Sequence, residues 1–291
     1  MGICLLICAA FYLIDPYACY PFSIKAERVP VSSDARYFHT LLARWEHFDS
    51  AVIGASTSRN LQPEQLNPLF QSTFVNLAFN AASAYEQSRM LQLFVRHHPD
   101  VKNVIWGLDF VWYKTEDAYT RFARPDEDFP DWLYNDDRWK RPMAFNLKNL
   151  EHSTDQLLYM LGLKQFEYGL DGYTPYRKPP MPLEEKRMRI YGSKLPKIKP
   201  VVSPPVELST QSLSALKFPA EAILKASLDA LPDQTRKILF FAPYHYYHQP
   251  PEGSREALVL GEFKRRVARL AENYHNICLF DFMIQSPFTT N

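Results

Sequence analysis

Five short apolar runs punctuate the chain: Phe48 to Ile53, Phe74 to Phe79 (FVNLAF), Val101 to Phe110 (VKNVIWGLDF), Arg236 to Pro243 (RKILFFAP) and Asn276 to Met283 (NICLFDFM). Between them the period changes. Leu260, Phe263, Val267, Leu270 and Tyr274 recur at alternating three- and four-residue spacing, which predicts a helix across Ser254 to Tyr274. Ser83-Ala-Tyr-Glu86 has the form of a capping box that opens a helix running to about His97. Further helices are expected around Ser153 to Leu163 and from Pro219 to Leu231. Near-continuous apolar strands alternating with amphipathic helices imply a parallel sheet covered on both faces.

The third and fourth runs are separated by an insertion, residues 112–218, that breaks this rhythm. It holds the aromatic and charged stretch DEDFPDWLYNDDRWKRP and then a segment rich in Pro and Lys. So long an irregular stretch in a compact domain is usually a lid or binding loop, and it is read here as a cap over the strand ends of a single α/β domain, residues 23–291. The chain carries 23 prolines against 9 glycines, which favours stiff, extended connections. At 291 residues, 46% hydrophobic and 14% aromatic, it can bury a large core. Its 33 basic and 32 acidic residues leave a net charge of +1, which excludes the electrostatic footprint of a nucleic-acid binder.

Met1 to Ile14 (MGICLLICAAFYLI) contains no charge. The run is shorter than the roughly 20 residues that span a bilayer as a helix, and it lacks the basic start of a signal peptide. It continues weakly through Asp15-Pro-Tyr-Ala-Cys-Tyr-Pro-Phe22. Residues 1–22 are therefore expected to be a membrane anchor, or the trailing part of a signal anchor; a buried N-terminal helix is the competing reading. Cys4, Cys8 and Cys19 lie in or beside this segment and Cys278 stands alone in the body, so they read as small apolar residues more than as a disulfide framework. With no CxxC spacing and no glycine-rich phosphate loop, neither a metal nor a cofactor is expected.

The candidate chemistry lies where the first run ends, in Ala51-Val-Ile-Gly-Ala-Ser-Thr-Ser-Arg-Asn60. A strand that stops at Gly54 places Ser56 at the carboxyl end of the sheet, the edge where open α/β folds bind ligands. A serine hydroxyl becomes a nucleophile only when a base takes its proton. A structural reading stands beside this one: Ser56 and Thr57 are also favoured residues for capping a following helix.

These pieces, in order, resemble the SGNH-hydrolase superfamily. The motifs are Asp15-Pro-Tyr after the apolar segment, Ile-Gly-Ala-Ser-Thr-Ser-Arg59 after the first strand, Asn76-Leu-Ala-Phe-Asn-Ala-Ala-Ser83 after the second and Gly107-Leu-Asp-Phe110 ending the third. The likeness is greatest to membrane-anchored SGNH-like proteins that accompany bacterial cell-surface polysaccharide and acyl-transfer systems. It implies a flavodoxin-like three-layer sandwich with a five-stranded parallel sheet, and it implies Ser56 as nucleophile. The expected activity is transfer or hydrolysis of acyl (acetyl) esters on a cell-surface glycan, at the periplasmic face of the inner membrane, with that glycan or an acyl donor protein as partner. The alternative is an inactive scaffold of the same fold that binds glycan or a membrane acyltransferase.

The resemblance also assigns the remaining site residues. The Ser56 backbone N–H would serve the oxyanion hole, with Ala55, Ser58, Arg59, Asn80 and His248 as accompanying oxyanion or substrate-binding candidates, and Ser58 as the fallback nucleophile. Asn80 stands in the region where the family usually has a glycine, and its tolerance of left-handed backbone would preserve the loop. Asp109 aligns with the family's asparagine donor, and as a carboxylate it would repel an oxyanion. The family's base comes from a late Asp-x-x-His block, which would begin about where this chain reaches Asn291. The chain is then either a truncated version or one without the dyad. His245, with His248 beside it, is the visible candidate base; packing or substrate contact is the other reading of both. His97-His98, at a helix C-terminus, needs no catalytic explanation.

Overall fold

The structure is a computed structural model that describes residues 9–115, 129–140, 143, 146–175 and 181–290. All five apolar runs become strands: β1 (Ser50–Ile53), β2 (Phe74–Asn76), β3 (Asn103–Leu108), β4 (Arg236–Phe241) and β5 (Ile277–Asp281). They form one parallel sheet of order β2-β1-β3-β4-β5. Each strand is shorter than its apolar run, and the runs of β2 to β5 continue past the strand into loops at the carboxyl edge of the sheet.

Helices flank the sheet on both sides, so the chain is an α/β protein of flavodoxin-like, three-layer form. On one face lie α1 (Ala35–Leu42), α3 (Ala84–His97), α7 (Pro219–Asp229) and α8 (Arg255–Ala271), packed on the large apolar core. On the other face α2 (Pro63–Phe70) sets Leu66 and Phe70 against Val52, Phe74 and Ile105. The Ser83–Glu86 capping box forms as expected: the Ser83 hydroxyl accepts the Glu86 N–H and the Glu86 carboxylate accepts the Ser83 N–H at 2.7 Å. Trp106 on β3 and Trp112 just beyond it both donate their indole N–H to the buried Gln87 side chain of α3.

The 112–218 segment runs over several faces of the molecule. Its 129–140 part clamps α1 and α3, with Arg89 and Tyr85 both bonded to Asp131. Helix α4 (Leu147–Met160) packs on the N-terminal segment, where the Tyr17 hydroxyl meets Asn149 Oδ1 at 2.6 Å and His152 Nδ1 at 2.7 Å. Residues 165–175 dock on the free edge of β2, the Asn76 N–H donating to the Asp171 carbonyl at 2.7 Å. Two further short helices, α5 (Leu183–Tyr191) and α6 (Thr210–Ser214), lead back towards α7. The final turn, α9, covers Pro287–Thr290.

Residues 9–14 are helical and end at a left-handed Asp15 (φ 42°). Arg28, itself buried, donates to the carbonyls of Ile14, Asp15 and Ala26 and so satisfies the end of that helix. Phe11, Tyr17, Cys19 and Tyr20 belong to the main core. Among the described residues no helix is long and apolar enough to cross a membrane. Residues 1–8, with Cys4 and Cys8, lie outside the described residues; Cys19 and Cys278 are free thiols.

Candidate functional site at the carboxyl edge of the sheet

Strands β1 and β3 are neighbours, with Ile53 paired to Trp106. The two chains therefore leave the sheet side by side, and Ser56 and Asp109 each follow three residues later. This is the position in the order β2-β1-β3-β4-β5 where the winding direction reverses, and such a crevice is where open sheets bind ligands. Ser56 is half-buried, and its side chain takes part in no hydrogen bond to another described residue.

The loop after Gly54 is built from the glycines outward. Gly54 has φ 149°, a conformation that disfavours any side chain, and a Cβ there would also fall 2.6 Å from the Ser58 Cβ. A Cβ on Gly107 would meet the Ser58 hydroxyl and the Phe240 ring, the latter at 2.8 Å. Ser58 is thus locked between β1 and β3 with its hydroxyl buried and unpartnered. That removes it as fallback nucleophile or substrate contact: it packs the strand ends. The capping reading of this loop is also corrected. Thr57 and Ser58 enter a single 3-10 turn at Ser58–Asn60, Thr57 makes no capping bond, and α2 begins only at Pro63. The loop is held from the next strand, since the Asn76 amide donates to the carbonyls of Ser58 and Leu61 at 3.1 and 2.7 Å.

Arg59 and Asn80 do come together, the guanidinium donating to Asn80 Oδ1 at 2.8 Å. Arg59 also lies over the ring of Tyr168, a residue of the insertion, 5.4 Å from its centroid. In the loop after β2 the left-handed residue is Ala81 (φ 52°), not Asn80. Ala55 is buried and contributes main chain only. Behind Tyr168 sits His39 of α1, fully enclosed, with neither ring nitrogen hydrogen-bonded and its pKa pushed down to about 4 by burial. Nothing in the apolar pattern around His39 singled it out, because α1 itself was not legible.

Asp109 is buried, and its Oδ1 accepts the Val111 N–H at 3.2 Å. Burial pushes its carboxyl up to about 7. Burial thus makes the Asp109 carboxyl easier to keep protonated than an ordinary carboxylate, and in that form it carries an O–H that can donate. The phenol of Tyr244, after β4, lies near both Asp109 and Thr57 without closing a hydrogen bond to Thr57, and burial raises its pKa. Tyr244 also forms a wall of a cavity of about 430 Å³ at the ends of β3, β4 and β5, with Phe110, Tyr113, Lys114 and Met283.

His245 and His248 sit in the 3-10 turn that follows, their rings 6.2 Å apart. His245 Nδ1 accepts the Tyr247 N–H at 3.2 Å, its ring packs on Tyr191, and its Nε2 is buried without a partner. Its pKa is lowered by burial and by His248. His248 lines the cavity beside Tyr244. Neither His245 nor His39 is hydrogen-bonded to Ser56. His97 pairs with Asp136 at 3.2 Å, and His98 lies on the carbonyls of Phe94 and Trp45, so both have structural work. Comparison with protein-family models, with curated proteins and with solved structures returns no match.

Proposed function

We propose that the chain acts through Ser56 in transfer or hydrolysis of acyl (acetyl) esters on an extracytoplasmic, cell-surface glycan, as an SGNH-like protein. The observation that supports this reading is the placement of Ser56 and Asp109 three residues beyond the paired Ile53 and Trp106 at the β1/β3 crevice, one residue half-buried and the other a buried carboxyl pushed up to about 7. In that arrangement the Ser56 oxygen adds to the acyl carbonyl, forming the C–O bond of a tetrahedral intermediate. The Ser56 N–H and the protonated Asp109 carboxyl are the donors suited to the developing oxyanion. A buried acid kept neutral near pH 7 can donate a hydrogen bond as an amide does. Collapse of the intermediate breaks the C–O bond to the glycan, whose oxygen takes up the proton that the Ser56 hydroxyl gives up, and leaves an acyl-serine; water or a second hydroxyl then adds to that ester, and its proton returns to the Ser56 oxygen as the acyl group departs.

A second reading rests on a specific observation: no described histidine is hydrogen-bonded to Ser56. Without a base the serine stays weak, and the same edge then serves as a binding scaffold for glycan or for a membrane acyltransferase partner. A fluorophosphonate probe separates the two. Labelling of the wild type that is lost in Ser56→Ala supports the acyl-enzyme. Equal labelling of both overturns the assignment of Ser56, and no labelling of a folded wild type favours the scaffold.

A further inference from the structure

We infer that residues 183–206, the Pro- and Lys-rich part of the insertion, form a platform that seats the folded body on an anionic lipid bilayer surface. The inference needs neither a reactive Ser56 nor the N-terminal segment. It rests on the charge, the exposure and the attachment of this one stretch.

The charge is local. Residues 186–206 hold Lys186, Arg187, Arg189, Lys194, Lys197 and Lys199 without one Asp or Glu, in a chain whose net charge is +1. Arg189 and Lys194 pair with Glu185 and Glu184 just upstream. Lys186, Arg187 and Lys197 enter no ion pair among the described residues. Apolar side chains stand open beside these cations: Leu195, Ile198 and Val201 are 72%, 96% and 63% exposed. Their spacing of three puts them on one edge of an extended, proline-rich chain, which turns once every three residues. Helix α5 ahead of them buries none of its residues, Leu183 and Met188 included. A helix that short normally draws its stability from a packed face.

The stretch is nevertheless fixed to the body. Tyr191 meets the rings of His245 and Tyr247 edge-on, and Lys199 Nζ lies 3.7 Å from the centroid of the Tyr246 ring. The Val202 and Val206 N–H groups donate to the Glu252 and Gly253 carbonyls at 2.9 and 2.8 Å. The platform therefore rests on the loop after β4, and its seat sets the carboxyl edge of the sheet close to the membrane surface.

Charge complementarity argues for an anionic bilayer as the occupant. Clusters of Lys and Arg are drawn to the negative potential of an anionic leaflet. In Lys194-Leu-Pro-Lys-Ile-Lys199 each apolar side chain has an ammonium within one or two residues. That pattern lets Leu195 and Ile198 enter the acyl boundary while the lysine heads stay among the phosphates. Pro196, Pro200, Pro204 and Pro205 interrupt any strand ladder, so a protein strand has little here to pair with.

The test is flotation of the full chain with vesicles of phosphatidylglycerol and phosphatidylcholine in equal parts, set against phosphatidylcholine alone. Wild type is compared with Lys194→Gln/Lys197→Gln and with Leu195→Ser/Ile198→Ser. The controls are Arg255→Gln/Arg269→Gln and Leu69→Ser/Leu147→Ser, which remove exposed residues of the same kinds elsewhere. All are surface positions, and an unchanged melting midpoint verifies folding. Each platform variant should partition about tenfold more weakly, or worse, on the anionic vesicles, while the controls float like wild type. Brominated phospholipid in the anionic vesicles should quench the added fluorescence of Ile198→Trp and leave that of Leu69→Trp unchanged. A wild type with no preference for the anionic vesicles overturns the seat. So do platform variants that float like wild type with the Trp at 198 unquenched. Retention on immobilised polygalacturonate without flotation, lost in Lys194→Gln/Lys197→Gln, assigns the face to an acidic glycan and overturns the lipid. Self-association without vesicles that Leu195→Ser/Ile198→Ser abolishes assigns it to a second copy, with the same consequence. Fluorophosphonate labelling of Ser56 is a separate readout, so the seat and the acyl chemistry stand or fall independently.

Discussion

The Ser58 hydroxyl fills the space between β1 and β3 that a Cβ on Gly107 would have to enter. The two residues are therefore coupled. Gly107→Ala forces Ser58 or the Phe240 ring to move and should cost about 1–3 kcal/mol, the usual range for overpacking a tight core. Ser58→Ala removes a buried hydroxyl that has no partner, so it should be neutral or slightly stabilising. Combined, the two should restore part of the loss, with a coupling of about 1 kcal/mol in urea denaturation. Strict additivity would sink the steric account of this glycine.

Asp109 should leave a signature in the pH dependence of stability. Its carboxyl titrates near 4 in the unfolded chain and at about 7 in the native one, through burial. Below the unfolded value both states are protonated and the site carries no penalty. As pH rises towards 7 the unfolded chain releases the proton first, so the favourable contribution of the protonated group is progressively lost. Asp109→Asn cannot titrate. It should match the wild type near pH 4 and exceed it by an amount on the order of a few kcal/mol at pH 8. A difference between the two that stays constant from acid to neutral pH would refute the raised carboxyl. The measurement is a paired set of denaturation midpoints across that range.

Gln87 accepts two indole N–H groups, from Trp106 at 2.8 Å and Trp112 at 3.3 Å, and donates to the Ala82 carbonyl at 3.0 Å. It joins the loop after β2 to the end of β3, the two segments that flank Ser56. Gln87→Leu keeps the volume but strands three buried polar groups, for an expected loss of about 2–4 kcal/mol. Near-UV circular dichroism, dominated by these tryptophans, should change with it. A variant that loses neither stability nor near-UV signal would mean the indoles find other acceptors.

Much of the sheet was legible because each strand is a local apolar run, and β1, β2 and β3, buried throughout, need nothing more. Helices α3 and α8 were legible for a similar reason: the Ser83–Glu86 box and the Leu260–Phe263–Val267 stripe are local signals. What escaped is what depends on contacts distant in sequence. Ser58 looked like Ser56 in the chain, and only the meeting of Gly54 with Gly107 buries it. Asp109 looked like a plain carboxylate, and the upward push on its carboxyl comes from burial, which the chain does not show locally. Tyr168 and His39 had no local mark, since one lies in an irregular insertion and the other in a helix whose eight residues are nearly all buried.

Gly172 gives the sharpest probe of how the insertion is attached. It has φ 78°, and a Cβ there would run into the Asn76 carbonyl of β2. Beside it the Asp171 carbonyl accepts the Asn76 N–H at 2.7 Å, and the Glu167 N–H donates to the Pro30 carbonyl at 2.7 Å. Gly172→Ala combines a left-handed strain of roughly 1 kcal/mol with a clash against main chain that cannot rotate away. The cheapest relief is for residues 165–175 to lift from the sheet edge, while the strands beneath stay paired. Hydrogen exchange should then speed up by at least about tenfold at the Asn76 and Glu167 amides and stay unchanged at Val104 and Leu239 in the sheet interior. Tyr168 would lift with the segment, so Arg59 would lose the ring it lies over while keeping Asn80. Uniform acceleration across the sheet would instead mean that this segment is part of the folding core and not a docked strap.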